Sequence, residues 1–313
     1  MMQLAELIDC GVDGNDPAPR YISHFQRRDV INRPCGPGPD RGGQAVAKTC
    51  PPSVSGALMT DASHQMPWLR RIDIGPITLY LGDAMQILPH LQGCANCVVT
   101  DVPYVLTSGG NATQVMGGIF GKDAYTNDGN LMATVRWSEI GGPIFRACKP
   151  DADAYIMSND KNLFAAHGGF IGAGWKFHNI LVWDKVRATR NRWYMKNLEF
   201  TLYLWKGQAK AINDCGSKQS FELNAPRQTK HPTEKPVALM AHYIGNSTAP
   251  GDMVLDPFMG AGATMVAAMQ LGRRGIGIEI NPEHFDVAVA RVRAAHAAAA
   301  TCIASSTGTE DCA

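Results

Sequence analysis

The sequence predicts an α/β fold whose core is a doubly wound, mostly parallel sheet of seven strands. Two observations lead to this prediction. From Arg71 onward, short apolar runs alternate with helical patterns, which is typical of parallel strands joined by crossover helices. Toward the end of the chain, a glycine-rich turn joins one such strand to a helix. A turn of this kind predicts a ligand at the end of that strand.

Each predicted strand is a short apolar run bounded by turn residues. In chain order they cover residues 77–81, 97–100, 154–157, 179–183, 200–205, 253–255 and 275–279. A helix is predicted to follow Asp83. A clearer helix start lies at Asn281-Pro282, since asparagine caps helices and proline suits the first helical position.

The chain divides by composition into three parts. Residues 1–68 contain eight prolines and seven glycines and predict a poorly ordered leader. One domain is predicted over 69–300, with a polar, irregular segment at 207–230, and 301–313 is expected to be a flexible tail. No apolar run reaches the roughly 18 residues of a membrane helix, and the acidic N-terminus does not look like a secretory signal. We therefore expect a cytoplasmic protein without a membrane partner.

The nine cysteines do not predict a metal site. Cys94 and Cys97 form a lone CxxC that runs into an apolar strand, and no second pair or nearby histidine completes a zinc set. We expect buried or idle thiols and no bound metal.

Basic residues are concentrated between Lys185 and Lys235, where eleven Lys and Arg minus four acids give a charge of +7. Aromatic side chains lie among them, so we interpret this stretch as a strip that contacts nucleic-acid phosphates. A solvated surface is the alternative interpretation. The candidate residues are Lys185, Arg187, Arg190, Arg192, Lys196, Lys210, Lys218 and Arg227.

The glycine-rich turn runs from Asp256 through Phe258, Gly260 and Gly262 to Thr264. A GxG pattern alone equally suits a dinucleotide enzyme. However, the third glycine of that pattern is absent, and a carboxylate beside an aromatic ring suits a cationic sulfonium better than a pyrophosphate. Glu279 ends the next predicted strand, where an acid usually binds ribose hydroxyls.

A second candidate site follows the strand at 97–100, in the sequence Asp101-Val102-Pro103-Tyr104. An exocyclic amine is a poor nucleophile, and two acceptors can hold its N–H bonds: the Asp101 carboxylate and the Val102 carbonyl. Pro103 restricts the backbone of the residue before it and so helps to aim that carbonyl. The Tyr104 ring offers a face for an extruded base. The alternative interpretation is a plain turn at the end of a strand.

Together these motifs resemble the N6-adenine and N4-cytosine amino-methyltransferases of DNA, whose motifs are Asp/Asn/Ser-Pro-Pro-Tyr and Asp-Pro-Phe-x-Gly-x-Gly. The order here, with the cofactor motif last and His231-Pro-Thr-Glu-Lys-Pro before it, is similar to the circularly permuted beta subclass. The resemblance implies a Rossmann-like methyltransferase domain that binds S-adenosyl-L-methionine and double-stranded DNA. It further implies cofactor contacts from Asp83, Thr233 and Lys235, beside those of Asp256 to Thr264 and Glu279, and target recognition within 207–230.

One position departs from the family pattern: Val102 stands where the family has proline. Valine still supplies a carbonyl, so we expect activity. Asp101 favours N6 of adenine, with N4 of cytosine as the alternative and a catalytically weak DNA-binding protein as the non-enzyme alternative. A cytosine-C5 methylase lacks its nucleophile here, because Pro34-Cys35 lies far upstream. We expect a monomer or homodimer, with a restriction endonuclease as a further candidate partner.

Overall fold

The structure is a computed structural model. It describes residues 66–103, 135–187, 194–224 and 235–307, with side chains as far as residue 300. The leader predicted at 1–68 lies outside this part except for its last three residues. Of those, Trp68 packs its ring against Tyr80, with centroids 4.8 Å apart. The three-part division of the chain therefore stays a prediction.

The strands form one sheet of nine. In chain order they are β1 Arg70–Ile74, β2 Ile77–Leu81, β3 Ala95–Asp101, β4 Cys148–Ser158, β5 Lys176–Asp184, β6 Leu198–Trp205, β7 Ser220–Glu222, β8 Met253–Asp256 and β9 Arg274–Glu279. Their order across the sheet is β1-β2-β9-β8-β3-β4-β6-β5-β7. The run from β2 to β4 is parallel, whereas β1 and β6 are antiparallel to their neighbours.

Helices cover both faces of this sheet. They are α1 Ala84–Ile87, continued by a 3-10 turn at Leu88–His90, α2 Trp137–Ala147, α3 Leu163–Gly172, α4 Val237–Ser247, α5 Ala263–Gln270 and α6 Pro282–Thr307. One core cluster joins the sheet to α4, α5 and α6 through Tyr243, Met265 and Phe285. The other joins it to α1, α2 and α3 through residues such as Ile87 and Phe170. The sheet is therefore buried from both sides, which explains why its strands read as apolar runs.

This architecture confirms the predicted doubly wound α/β fold. Each of the seven predicted strands lies within a strand of the sheet, and Asn281 caps α6 through the N–H of Glu283 at 2.8 Å. The sheet has two more strands than expected, because β1 adds an antiparallel edge to β2 and the three-residue β7 pairs with β5.

Candidate active site

The chain reverses its direction of winding between β3 and β8, which are parallel neighbours. From β3 the chain continues through α2, on one face, into β4; from β8 it continues through α5, on the other face, into β9. The two connections therefore diverge and leave a crevice at the carboxyl ends of β3 and β8. In open α/β sheets, ligands bind in such a crevice. Asp101 ends β3 and Asp256 ends β8, so the two motifs found in the sequence meet there.

Two glycines shape the loop that leads from β8 into α5. Gly260 and Gly262 have φ angles of +51° and +79°, a region that other residues rarely adopt. A Cβ on Gly262 would lie 2.9 Å from the Cβ of Ala288, so glycine also permits α5 to pack against α6. A Cβ on Gly260 would meet nothing within 4 Å. The backbone at Gly260 thus faces open space, into which a ligand can approach closely.

Glu279 lies beside this loop at the end of β9. Its carboxylate accepts hydrogen bonds from the N–H of Gly260 at 2.9 Å and from the N–H of Asn281 at 2.8 Å. The carbonyl of Glu279 also accepts the N–H of Gly82, at 2.9 Å. The next residue, Asp83, caps α1 by accepting the N–H of Met85 at 2.8 Å. The structure thus brings together Asp83, Gly260 and Glu279, three predicted cofactor residues that are far apart in the sequence.

Two other predicted cofactor residues are held inside the protein. The buried Asp256 carboxylate accepts the hydroxyl of Thr100 at 2.7 Å and the N–H of Phe258 at 3.1 Å. Burial raises the pKa of Asp256 to about 6, although these hydrogen bonds oppose the rise. Thr264 is buried as well, and its hydroxyl donates to the carbonyl of Val99 at 3.4 Å. Both side chains therefore fasten the loop and α5 to strand β3, which ends at Asp101.

Asp101 forms an ion pair with Lys235, whose Nζ lies 2.5 Å from Oδ2 of Asp101. The resemblance placed Lys235 in the cofactor pocket, but the structure places its ammonium on the carboxylate predicted to be catalytic. The same ammonium lies 3.3 Å from Oε2 of Glu199, and Lys185 lies 3.1 Å from Oε1 of Glu199. Glu199 is not among the residues predicted for the site, because only the pairing of β6 with β4 brings it near β3.

The electrostatics of this group follow from its burial. Desolvation raises the pKa of Asp101 and Glu199 adds to the rise, while Lys235 opposes it. Burial would also raise the pKa of Glu199, but Lys235 and Lys185 outweigh it and hold that pKa below the ordinary value. The four side chains alternate in charge, so each partly offsets the desolvation of its neighbours.

The remaining residues of the tetrapeptide that was predicted to be catalytic are described only in part. Val102 is buried and packs in the cluster beneath α1, α2 and α3. The Pro103 carbonyl accepts the N–H of Val135 at 3.0 Å. Tyr104, predicted to stack on the base, lies outside the described residues. So do four other predicted site residues, namely Arg190, Arg192, Arg227 and Thr233.

The predicted phosphate-binding residues that the structure describes do not form one surface. Lys185, Arg187 and Lys196 belong to the connection between β5 and β6, which extends beyond the edge where Asp101 lies. Lys196 is exposed and pairs with Asp160 at 2.8 Å. Lys210 instead donates to the carbonyl of Asp151, near the start of β4, at 2.9 Å. Together with Lys218 it lines a separate cavity of about 320 Å³.

The predicted recognition segment, 207–230, is described as far as residue 224. Its first half packs against the end of α4, where the Asn213 amide donates to the carbonyls of Gly245 and Thr248 at 2.7 and 2.9 Å. Its later part forms β7. A role in target recognition stays a prediction.

The two thiols of the CxxC lie in different environments. Cys97 is buried in the cluster beneath α4, α5 and α6, whereas Cys94 packs against the cluster on the opposite face. Burial raises the pKa of both thiols. No group of three or more His, Cys, Asp or Glu suited to a metal ion occurs among the described residues. Within the same residues, no helix is long and apolar enough to cross a membrane.

The crevice fits S-adenosyl-L-methionine by its own chemistry. The open backbone at Gly260 allows close approach, the Glu279 carboxylate can accept hydroxyl groups, and Asp101 supplies an acceptor at the adjoining strand end. A doubly wound sheet with a crevice at this point also occurs in dinucleotide-binding enzymes, so the fold alone does not distinguish the two classes of cofactor.

Comparison with known proteins then gives the family. A family model described as DNA methylase, of the N6 and N4 type, matches residues 95–290, which is more than half of the chain. The protein therefore belongs to the N6-adenine/N4-cytosine family of DNA methyltransferases, uses S-adenosyl-L-methionine as its cofactor and acts on DNA.

Two curated relatives agree with this assignment. The chain is 28% identical over 223 residues to the Type II methyltransferase M2.DpnII of Streptococcus pneumoniae, covering 63% of this chain and 82% of the relative. It is 26% identical over 237 residues to the Type II methyltransferase M2.LlaDCHI of Lactococcus lactis subsp. cremoris, covering 67% and 87%.

Solved structures show the same fold. The complex of M1.HpyAVI with S-adenosyl-L-methionine superposes with a TM-score of 0.53 at 25% identity, covering 69% of this chain and 99% of that one. The cytosine-N4-specific PvuII DNA methyltransferase gives a TM-score of 0.54 at 16% identity, covering 69% and 86%. At that identity the second likeness concerns the fold alone.

Proposed function

We propose that this protein methylates N6 of adenine within a specific sequence of double-stranded DNA, after the target base is extruded from the helix. The observation that carries the proposal is the position of Asp101, whose carboxylate ends β3 beside the glycine loop of β8. A base must leave the stack to reach a group at the bottom of such a crevice.

The cofactor would be held by the residues around the glycine loop. Glu279 would accept the ribose hydroxyls, Asp83 would lie near the adenine, and Phe258 would contact the methionine portion, with the backbone of Gly260 and Gly262 against the ligand. Thr233 would line the same pocket. When bound, S-adenosyl-L-methionine supplies an electrophilic methyl group on a positively charged sulfur.

The target amine would be held by Asp101 and by the carbonyl of Val102. Two acceptors orient both N–H bonds and direct the nitrogen lone pair toward the methyl group. Asp101 Oδ2 is engaged by Lys235, and within the described part of the chain Oδ1 accepts no hydrogen bond, so Oδ1 is the acceptor available to the amine. Tyr104 would stack on the extruded base. No covalent bond between enzyme and base is needed, because the methyl group passes directly to nitrogen.

Adenine is favoured over cytosine by the residue at position 101. In the motif of this family, aspartate is associated with adenine N6, and serine is more typical of cytosine N4. The cytosine-N4-specific PvuII enzyme shares the fold at 16% identity, which does not bear on the base. Methylation of cytosine N4 remains the second candidate.

The DNA would lie across the edge of the sheet that carries Asp101. In the register of the sheet, Asp101 is level with Met157, Thr201 and Leu181, and β5 continues three residues further to Asp184. The connection that follows carries Arg187 and Lys196, which would reach phosphates flanking the extruded base, while Lys185 is held by Glu199. Because the relatives are Type II methyltransferases by name, we further propose that an endonuclease of the same specificity accompanies the protein.

The modified base can be identified directly. Plasmid DNA from cells that express the protein is digested to nucleosides and analysed by mass spectrometry, and long-read sequencing of the same DNA gives the sequence context. We expect N6-methyldeoxyadenosine in one recurring context. Detection of N4-methyldeoxycytidine instead would show that the target is cytosine. If DNA incubated with the purified, cofactor-bound protein contains neither methylated nucleoside, methyl transfer to an amine is refuted.

A further inference from the structure

The ion pair between Lys235 and Asp101 is part of a larger charged group that the proposed reaction does not yet explain. Lys235 also lies 3.3 Å from Glu199, and Glu199 pairs with Lys185 at 3.1 Å. All four side chains are mostly withdrawn from solvent, with exposed fractions of 13% for Lys235, 24% for Lys185, 28% for Glu199 and 30% for Asp101. Burying charges is costly, so such a group at the crevice calls for a functional reason.

The arrangement of the sheet explains why Lys235 contacts two carboxylates, those of Asp101 and Glu199. Glu199 lies two residues from Thr201, which contacts the Tyr243 hydroxyl of α4 at 3.1 Å, so Glu199 faces α4 as well. Asp101 lies two residues from Val99, which belongs to the cluster on this same face. Only β4 separates β3 from β6, which puts the two backbones about 10 Å apart.

Lys235 lies between the two carboxylates, on the face of the sheet that α4 covers. It stands two residues before α4, the helix that covers this face, and its ammonium contacts one carboxylate on each side. An ammonium that pairs with a single carboxylate exerts its whole effect on the basicity of that carboxylate. When two carboxylates share the ammonium, the ionised form of both is stabilised, but the basicity of each falls by less. Each carboxylate is then a stronger hydrogen-bond acceptor than it would be in a pair with its own ammonium.

Lys185 is fixed on the far side of Glu199 by strained backbone. Val186 has a φ of +61°, which is an outlier for a β-branched residue. The N–H of Arg187 donates to the carbonyl of Lys185 at 2.6 Å, and the N–H of Val186 donates to the Asp184 carboxylate at 2.8 Å. This tight turn keeps Lys185 on Glu199 while Arg187 projects into solvent. Strain of this kind persists where surrounding contacts hold it and is frequent near functional sites.

We propose that Glu199 is a positioning residue for methyl transfer, which shares the Lys235 ammonium with Asp101 and thereby sets how strongly Asp101 accepts the target amine. Lys185 supports Glu199 in this role. The proposal rests on the proposed function, in which Asp101 holds the amine. In that reaction the nitrogen lone pair would form the new N–C bond as the C–S bond of the cofactor breaks, S-adenosyl-L-homocysteine would leave, and the nitrogen would pass one proton to solvent through the Asp101 carboxylate. An Asp101 that is ionised yet basic favours both the hydrogen bond and the departure of that proton.

Besides Lys235, Glu199 and Lys185, the buried Asp256 of β8 interacts with Asp101, and its own pKa of about 6 is shared by every variant below. The proposal therefore predicts shifts relative to the parent, and these are opposite in sign for Lys235 and Glu199. Lys235→Met removes the cation and raises the pKa of Asp101, so the acidic limb of the rate profile moves upward by about one pH unit or more. Glu199→Gln removes a neighbouring negative charge and leaves Lys235 to Asp101 alone, so the limb moves downward. Because Asp101 then accepts more weakly, the rate at neutral pH falls by about tenfold. Lys185→Met acts through Glu199 and moves the limb upward, by less than Lys235→Met.

The measurement is single-turnover transfer of a radiolabelled methyl group to DNA over a pH series, so that product release does not mask chemistry. Asp73→Asn serves as the control, since Asp73 forms an exposed ion pair with Arg71 on the edge strand β1, four strands from β3, and should leave the profile unchanged. For Glu199→Gln we expect cofactor and DNA affinities within about twofold of the parent, because the effect acts on the chemical step and not on binding.

The outcomes separate this proposal from the proposed function. An acidic limb that stays in place in Glu199→Gln, or moves upward with that of Lys235→Met, overturns the positioning role. If Glu199→Gln does not fold, Lys185→Met decides, and an unmoved limb there overturns the proposal equally. Full activity in Asp101→Ala would instead refute the proposed function, whatever the Glu199 result.

Discussion

The hydroxyl of Thr100 donates a hydrogen bond to the carboxylate of Asp256 at 2.7 Å, joining β3 to β8 at the crevice. The bond links the residue that precedes Asp101 to the residue at which the glycine loop of β8 begins. Both side chains are buried. A displacement of the loop would therefore be transmitted to β3, and the two motifs are held in register.

Replacing Asp256 by asparagine should change how stability depends on pH. The folded-state pKa of Asp256 is about 6, above its ordinary value of 3.8. Between these values the folded protein binds more protons than the unfolded chain, so Asp256 lowers stability as pH rises through about 4 to 6. Asparagine carries no charge and escapes this loss.

The free energy of unfolding, measured with denaturant at pH 4 and pH 7, checks this expectation. The free energy of unfolding of Asp256→Asn, relative to that of the parent, should rise by up to about 3 kcal/mol from pH 4 to pH 7. An equal difference between variant and parent at both pH values would contradict the raised pKa.

Replacing Glu279 by alanine should weaken cofactor binding by about 1–3 kcal/mol, because hydroxyl groups of the cofactor would lose a buried acceptor. The variant also leaves the N–H groups of Gly260 and Asn281 without their acceptor. Glu279→Gln keeps one carbonyl oxygen for them and should lose less. Isothermal titration with S-adenosyl-L-methionine measures both variants, and unchanged affinity in Glu279→Ala would remove this residue from the cofactor site.

Replacing Asp101 by alanine should reduce turnover by about 100-fold or more, since the acceptor of the reacting amine is lost. Cofactor affinity should remain close to that of the parent, because the proposed role of Asp101 is to hold the amine and not the cofactor. Asp101→Asn retains a carbonyl acceptor and should keep more activity than Asp101→Ala. Methylation assays and cofactor titration on the same preparations separate the two effects, and parallel losses in both would point to a damaged crevice.

Neutralising Arg187, Arg190 and Arg192 should weaken the salt dependence of DNA binding by up to about three units of log–log slope. Lys210 and Lys218 provide the comparison, because they line a cavity apart from the Asp101 edge. Their neutralisation should change the slope less. Binding of a DNA duplex across a salt series, followed by fluorescence anisotropy, distinguishes the groups. An equal effect from the lysine pair would mean that DNA extends to that cavity.

Much of the fold follows from local sequence pattern. A parallel sheet covered on both faces requires apolar strands, so each central strand appears as an apolar run with its own boundaries. The loop at Gly260 and Gly262 and the cap at Asn281 depend on backbone conformations that few residues adopt, which makes them visible in the sequence.

Other elements were missed for equally physical reasons. Helix α2 contains Gly141, Gly142 and Pro143, residues that ordinarily oppose helix formation and are retained here by packing. Gly141 lies against the backbone of α3, where a Cβ would approach the Gly169 carbonyl to 2.9 Å. Strand β7 has three residues and exists only through its pairing with β5. Local preference alone could not predict these elements.

The sequence by itself determined the two motifs, their order and the strands that carry them. Only the tertiary structure decided which charges meet. Asp101 and Glu199 are 98 positions apart in the chain, and a lysine near the start of α4 joins them because β3 and β6 lie on either side of β4. The tertiary structure likewise separated Lys210 from Lys185, which the sequence had grouped in one strip. Closeness along the chain does not determine closeness in space. Strand pairing and helix packing decide the distance between side chains, and electrostatic interaction depends on that distance.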